Sequence, residues 1–195
     1  VCDAVATPLK IIKKARISSF DKVGVIGAGG GLGIHMLKML KLNNISAIGI
    51  DTKTEKFNTC NENGAEFSVS PMENDLKNKI ADFSKSNDLD VVIDFVSSKS
   101  SLELGCSILG KGGRLVTLGG SGEQFLANSA DMLVKELELI GSRYCTKQEL
   151  KESLDLYARG LIEPLVSVKT DFDGAEGLHD KIEKGEITGR AGILI

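Results

Sequence analysis

No two of the four cysteines, Cys2, Cys60, Cys106 and Cys145, stand in a C-x-x-C pair. Their spacing argues against a disulfide framework and against a self-contained zinc knuckle, and makes free thiols in a reducing cytoplasm the expected state. A basic stripe is also missing. The chain has 24 Lys+Arg against 27 Asp+Glu, a net charge of −3, so nothing points to nucleic acid. No apolar stretch reaches the roughly 18 residues needed to span a membrane, and no signal peptide is visible. Solenoid-length repeats and low-complexity segments are absent. The two histidines, His35 and His179, form no local cluster. What is present is a 195-residue chain, 42% hydrophobic, enough for one sizeable domain or two small ones. It opens on Val1 with mildly apolar residues, and reads as the middle of something longer.

Glycine is plentiful, and its placement is informative. The run Val23-Gly24-Val25-Ile26-Gly27-Ala28-Gly29-Gly30-Gly31-Leu32-Gly33 takes an apolar strand-like segment into a knot of glycines. An amphipathic segment follows from Ile34 to Leu42, and Asp51 closes a second apolar run. A tight strand-to-helix turn needs backbone angles that glycine adopts cheaply. Close approach of a pyrophosphate excludes a Cβ, and the first turn of a helix attracts anions. Gly27, Gly30 and Gly33 fit G-x-x-G-x-x-G, whereas Leu32 breaks the stricter G-x-G-x-x-G; Gly29 and Gly31 leave the register some freedom. Asp51 suits a carboxylate accepting from ribose hydroxyls, and it repels a 2′-phosphate, favouring NAD over NADP. Lys53 and Lys56 soften that repulsion.

The pattern then repeats. A helix is expected from Thr54 to Asn63, a short strand from Glu66 to Ser70, and a helix opened by Pro71 from Met72 to about Ser86. Asp90 to Val96 reads as a strand covered on both faces. Ser98 to Leu109 reads as a helix stopped by Gly110, and Arg114 to Leu118 as a fifth strand. Leu137 to Ser142 is a sixth strand and Gln148 to Arg159 a helix. Ser167 to Lys169, Gly174 to Lys184 and Ala191 to Ile195 read as strand, helix and strand. The alternation implies an α/β doubly wound parallel sheet of the Rossmann type, with about six strands plus a C-terminal strand/helix extension. Ligands of such sheets sit beyond the carboxyl ends of the strands. Gly27, Asp51, Phe95, Val96, Leu118, Gly119 and Gly120 fall there, although Gly119 and Gly120 also suit an ordinary turn.

The run Val25 to Gly33, the lead-in Asp3 to Lys10, the stretch Asp51 to Gly64 and the tail Gly185 to Ala191 resemble the zinc-containing medium-chain alcohol dehydrogenases. The resemblance covers nearly the whole chain but only the second half of a family member. It implies a lead-in helix at 1–18, an NAD-binding domain at 19–163 and a segment at 164–195 that returns toward an absent N-terminal catalytic domain. It implies cofactor contacts from Gly27, Gly29, Gly30, Gly31, Leu32 and Gly33. Lys56 would lie at the adenosine ribose beside Asp51, and Arg190 at the pyrophosphate. Leu118, Gly119, Gly120, Ser142 and Arg143 would line the nicotinamide end, with Thr7 beside the nicotinamide face. Taken alone, Arg190 reads as a solvated arginine and Thr7 as a helix N-cap before Pro8. The family's third catalytic zinc ligand falls at Asp3, with Cys2 one residue earlier; both chemistries suit zinc. One ligand cannot hold the ion, so the rest are expected in the missing half. His35 is expected on a helix surface and His179 on the last helix.

The leading expectation is therefore the NAD(H)-binding half of a zinc-assisted alcohol dehydrogenase. The parent would pass hydride between a small alcohol and NAD, giving an aldehyde or ketone, while this chain alone would be inactive or nearly so. The alternatives are the cofactor half of a zinc-free quinone or enone reductase, and a stand-alone NAD-binding module without catalysis. Family resemblance also implies a homo-oligomer. The stretch from Glu136 to Ser142 suits an exposed sheet edge or an interior strand equally.

Overall fold

The computed structural model describes residues 1–86 and 88–195. Its centre is a six-stranded sheet of β1 (Lys22–Ile26), β2 (Ser46–Ile50), β3 (Ser68–Val69), β4 (Leu89–Asp94), β5 (Leu109–Thr117) and β6 (Glu138–Gly141). The order is β3-β2-β1-β4-β5-β6 and every pairing is parallel. The strands alternate with α2 (Gly33–Leu42), α3 (Phe57–Glu62, preceded by a 3-10 turn at Thr54–Lys56), α4 (Leu76–Ser84), α5 (Lys99–Ser107) and α6 (Ser129–Lys135). The helix α1 (Ala6–Lys14) comes before the sheet and packs against α2 and α7 (Lys147–Ala158). A separate parallel pair, β7 (Val166–Thr170) and β8 (Arg190–Ile193), flanks α8 (Ala175–Glu183). Among the described residues, no helix is long and apolar enough to cross a membrane.

The two-residue period of a strand sorts the core. Val23, Val25, Ala47, Val91 and Ile93 face one layer with Ile11, Ile34, Leu37 and Leu40. Ile26, Ile48, Ile50, Val92 and Leu115 face the other with Ile80, Phe83 and Leu102. Both faces are covered, which is why these strands read as continuous apolar runs. Truncating a fully buried residue such as Ile93 or Leu40 to alanine costs about 2–5 kcal/mol.

Several boundaries differ from the sequence reading. The helix expected from Met72 begins only at Leu76. Pro71 sits in a turn where Glu73 Oε1 accepts from the Ser70 N–H (3.0 Å), leaving Met72 exposed. The third strand shrinks to two residues. Gly110 does not stop α5, which ends at Ser107. β5 already begins at Leu109 and carries an irregularity opposite Leu89 and Val91. Gly113 is needed there, because a Cβ on it would lie 2.8 Å from the Gly110 carbonyl oxygen. The helix α6 had no expectation; the Asn128 side chain caps it by accepting from Ala130 N–H (2.9 Å), and none of its residues is buried. Of the two readings open for the sixth strand, the structure places it at the sheet edge.

Candidate functional site

The carboxyl ends of β1, β2, β4 and β5 border a cleft of two adjoining cavities. The first part of it, about 450 Å³, is lined by the glycine turn, Asp51, Lys56, Phe95, Val96 and Arg190. The second, about 750 Å³, is lined by Thr7, Leu118, Gly119, Gly120, Ser142 and Arg143. Asp3 and Leu32 border both.

The turn is built from close backbone approaches. Gly27 has φ +75° and donates to Ile50 O (2.9 Å), so it leaves β1 in a conformation that favours glycine. Gly30 N–H donates back to Gly27 O (3.1 Å). A Cβ on Gly33 would stand 2.1 Å from that same oxygen, so only glycine lets α2 start here. No side chain caps α2 and its first turn has no acid, which leaves its positive end open to an anion.

Asp51 is part of the turn as well as of the groove. Its Oδ2 accepts from Gly29 N–H (2.8 Å) and its Oδ1 from Lys53 N–H (3.0 Å). Each carboxylate oxygen keeps lone-pair capacity for further donors. Lys56 folds over Gly29, where a Cβ would lie 2.5 Å from its Cδ. Its ammonium donates to Ile187 O (2.8 Å) and is buried, so its charge is committed to the C-terminal segment in this structure.

Buried Asp94, at the end of β4, carries a network not anticipated from sequence. Its Oδ1 accepts from Val96 N–H (2.8 Å) and Ser97 N–H (3.0 Å), and its Oδ2 from Ser101 Oγ (2.7 Å). Ser97 Oγ in turn accepts from Gly119 N–H (2.8 Å) and bonds Thr117 Oγ1 (2.6 Å). The network joins the ends of β4 and β5 and so places Phe95, Val96, Leu118 and Gly119 along the cleft. Gly119 is also required by fit, since a Cβ would lie 2.6 Å from Ser97 Cβ; Gly120 has open space. The readable signal was an acid closing an apolar strand just before a cluster of serines.

At the far end, Ser142 N–H donates to Thr117 O (3.0 Å), while its buried Oγ has no partner among the described residues. Arg143 stacks on Tyr144, 4.9 Å from the ring centroid. Thr7 lies inside the first turn of α1 rather than capping it, because Val5 is the N-cap. Thr7 Oγ1 donates to Asp3 Oδ1 (3.0 Å). Arg190 pairs through Nη2 with Asp3 Oδ2, and its Nε is buried without a partner among the described residues. His35 is not on a surface. It is fully buried, since α2 is covered on nearly every side and the segment before β7 closes over it. Burial lowers its pKa to about 4. His179 lies on α8, exposed, beside Glu183.

The residues fit a dinucleotide. There is a cradle that side chains would fill, an uncapped helix start, and, on residues lining the two parts of the cleft, two buried polar atoms without a partner among the described residues, Arg190 Nε and Ser142 Oγ. They do not by themselves fit zinc. Asp3 is engaged by Thr7 and Arg190, and among the described residues no group of three or more His, Cys, Asp or Glu side chains converges.

The chain has relatives among known proteins. An NAD-dependent alcohol dehydrogenase of Sulfurisphaera tokodaii is 25% identical over 190 residues, 97% of this chain and 54% of its own length. The crystal structure of the alcohol dehydrogenase of Aeropyrum pernix superposes with a TM-score of 0.87 at 28% identity, over 97% of this chain and 55% of that one. Acetophenone reductase of Geotrichum candidum, in complex with NAD, gives 0.82 at 29% identity over 97% and 52%. The chain thus spans about half the length of these relatives. The family model described as zinc-binding dehydrogenase matches residues 31–159, from the glycine turn to the end of α7, and the chain belongs to that family.

Proposed function

We propose that this chain binds NAD(H) as the cofactor-holding half of an alcohol dehydrogenase, its partners being a catalytic domain and a small alcohol, aldehyde or ketone. The observation that carries the reading is the bond from Gly29 N–H to Asp51 Oδ2, which sets a carboxylate beside the glycine turn at the head of a cleft running to Ser142. In this reading Asp51 accepts from the adenosine ribose. The turn from Gly27 to Gly33 and Arg190 hold the pyrophosphate. Phe95, Val96, Leu118, Gly119 and Gly120 form the floor, and Ser142, Arg143 and Thr7 border the nicotinamide end. Lys56, its ammonium bonded to Ile187 O, would lie beside Asp51 at the adenosine ribose. The nicotinamide, when bound, accepts or gives up a hydride. The chain's own part is to bind and orient that ring. Asp3 stands at the border of both groove halves, where a zinc ligand would serve only together with donors from another domain. The exposed edge strand β6 is the element we assign to subunit pairing.

Titration of the protein with NADH and NADPH by nicotinamide fluorescence tests the reading. Saturable NADH binding, tighter than NADPH, is expected. Absence of saturable binding at millimolar NADH overturns it, and a clear preference for NADPH replaces it with the quinone or enone reductase reading.

A further inference from the structure

We propose that His35 is a positioning residue: a neutral imidazole, protonated on Nδ1, that locks the glycine turn to the segment bearing Arg190. This rests on the cofactor reading above. His35 borders neither part of the cleft; it sits behind the turn, fully buried in the first turn of α2. Its Nε2 lies 2.9 Å from the Leu165 backbone nitrogen and its Nδ1 2.7 Å from the Gly31 carbonyl oxygen. A backbone N–H only donates, so Nε2 is the acceptor. The single ring proton then stands on Nδ1 and is given to Gly31 O. The opposite tautomer would set two N–H groups against each other at one end and two lone pairs at the other.

Each bond has a consequence in the cleft. The Gly31 carbonyl and the Leu32 N–H belong to one planar peptide group, so holding the oxygen from behind aims the N–H forward. Leu165 O accepts from Arg190 N–H (2.9 Å), and the adjacent Gly189 N–H donates to Gly29 O (3.2 Å). The path Gly31–His35–Leu165–Arg190–Gly189–Gly29 therefore closes on the glycine turn. The arginine side chain folds back over Gly31, where a Cβ would lie 2.9 Å from its Nε. Turn donors and guanidinium are held together before any anion arrives, which lowers the cost of ordering them on binding.

Two measurements test this. Nitrogen-15 NMR of the imidazole ring in the free protein is expected to show the Nδ1–H tautomer; an Nε2–H ring overturns the lock whatever the cofactor does. NADH titration is then made on His35→Asn, which keeps a donor near Gly31 O, and on His35→Gln, which keeps an acceptor near Leu165 N–H, each with and without Arg190→Ala. His35→Gln is expected to weaken NADH about tenfold in both backgrounds, the scale of one lost buried hydrogen bond. His35→Asn is expected to weaken it only while Arg190 is present. Equal losses from both variants in both backgrounds, tracking thermal stability, mean a plain core histidine and overturn the proposal. If the unsubstituted protein shows no saturable NADH binding, the cofactor reading fails and the positioning role falls with it, while the tautomer still decides the lock.

Discussion

Arg190 and Asp3, 187 positions apart in the chain, form an ion pair where the two parts of the cleft meet. Both side chains are partly exposed, at 38% and 46%, so the pair contributes only about 0–1 kcal/mol. Asp3 takes a donor of the Arg190 Nη2 edge, the part of the guanidinium fork for which a cofactor phosphate would compete. In the proposed function Asp3 would therefore be a weak internal competitor for the cofactor's phosphate. Asp3→Asn should raise NADH affinity by up to about fivefold, the scale of an exposed pair. Arg190→Ala should lower it about tenfold to a hundredfold, the scale of a hydrogen bond to a charged group. Fluorescence titration of both variants checks this; weaker binding in Asp3→Asn would sink the competitor role.

Neighbouring glycines should fail in different ways. Gly33→Ala drives a methyl against Gly27 O and against Ala28 Cα at 2.7 Å, both backbone, and should destabilise the protein by about 3 kcal/mol or more. Gly31→Ala meets mainly the flexible Arg190 side chain, with Gly189 O at 3.1 Å. It should cost about 1 kcal/mol or less in stability yet weaken NADH binding. Urea denaturation and cofactor titration of the two variants separate the effects; equal stabilities would contradict the packing described for Gly33.

Burial, the largest influence on His35, lowers its pKa from 6.5 to about 4, with Lys38 and Arg190 acting in the same direction against the bond to Gly31. The unfolded chain takes up this proton near pH 6.5 and the folded one only near pH 4. Between those values the unfolded state binds more protons, so stability rises with pH. The contribution is complete above about pH 6.5 and is lost as pH falls toward 4, to a total of roughly 3 kcal/mol. His35→Asn has no group to titrate and should lack this part of the slope. Urea melts of both proteins from pH 4 to 7 measure it, since carboxylates common to the two cancel; identical slopes would refute it.

Thiol reactivity should rank by burial. Burial, with the Asp51 carboxylate adding to it, pushes the Cys60 thiol up to about 11, while Cys2 is exposed. Iodoacetamide labelling with peptide mapping at pH 8 should mark Cys2 first and Cys60 last, after unfolding. Rapid labelling of native Cys60 would contradict its place beneath β2.

How much was legible in the sequence depended on how local each signal is. Gly27, Gly30, Gly33 and Asp51 were readable because backbone angle, close approach and strand length are set over a few tens of residues. The β4 apolar run was readable because burial on both faces removes alternation. The start of α4 was not, since a side-chain bond from Glu73 to Ser70 competes with helix formation only once the turn exists. Asp94 went unmarked, and His35 was wrongly expected on a helix surface, for another reason. A buried acid or imidazole looks like any polar residue until the groups that satisfy it are placed around it.

The amino-acid sequence by itself determined the alternation of strands and helices, the location of the glycine turn and the carboxylate at its mouth. These follow from hydrophobic period and from the conformations each residue tolerates. Only the tertiary structure decided that Arg190 meets Asp3, that Lys56 is spent on Ile187 and that His35 joins Gly31 to Leu165. Each of those contacts joins segments far apart in the chain or uses an atom whose role depends on what packs beside it, and no local pattern encodes that partner.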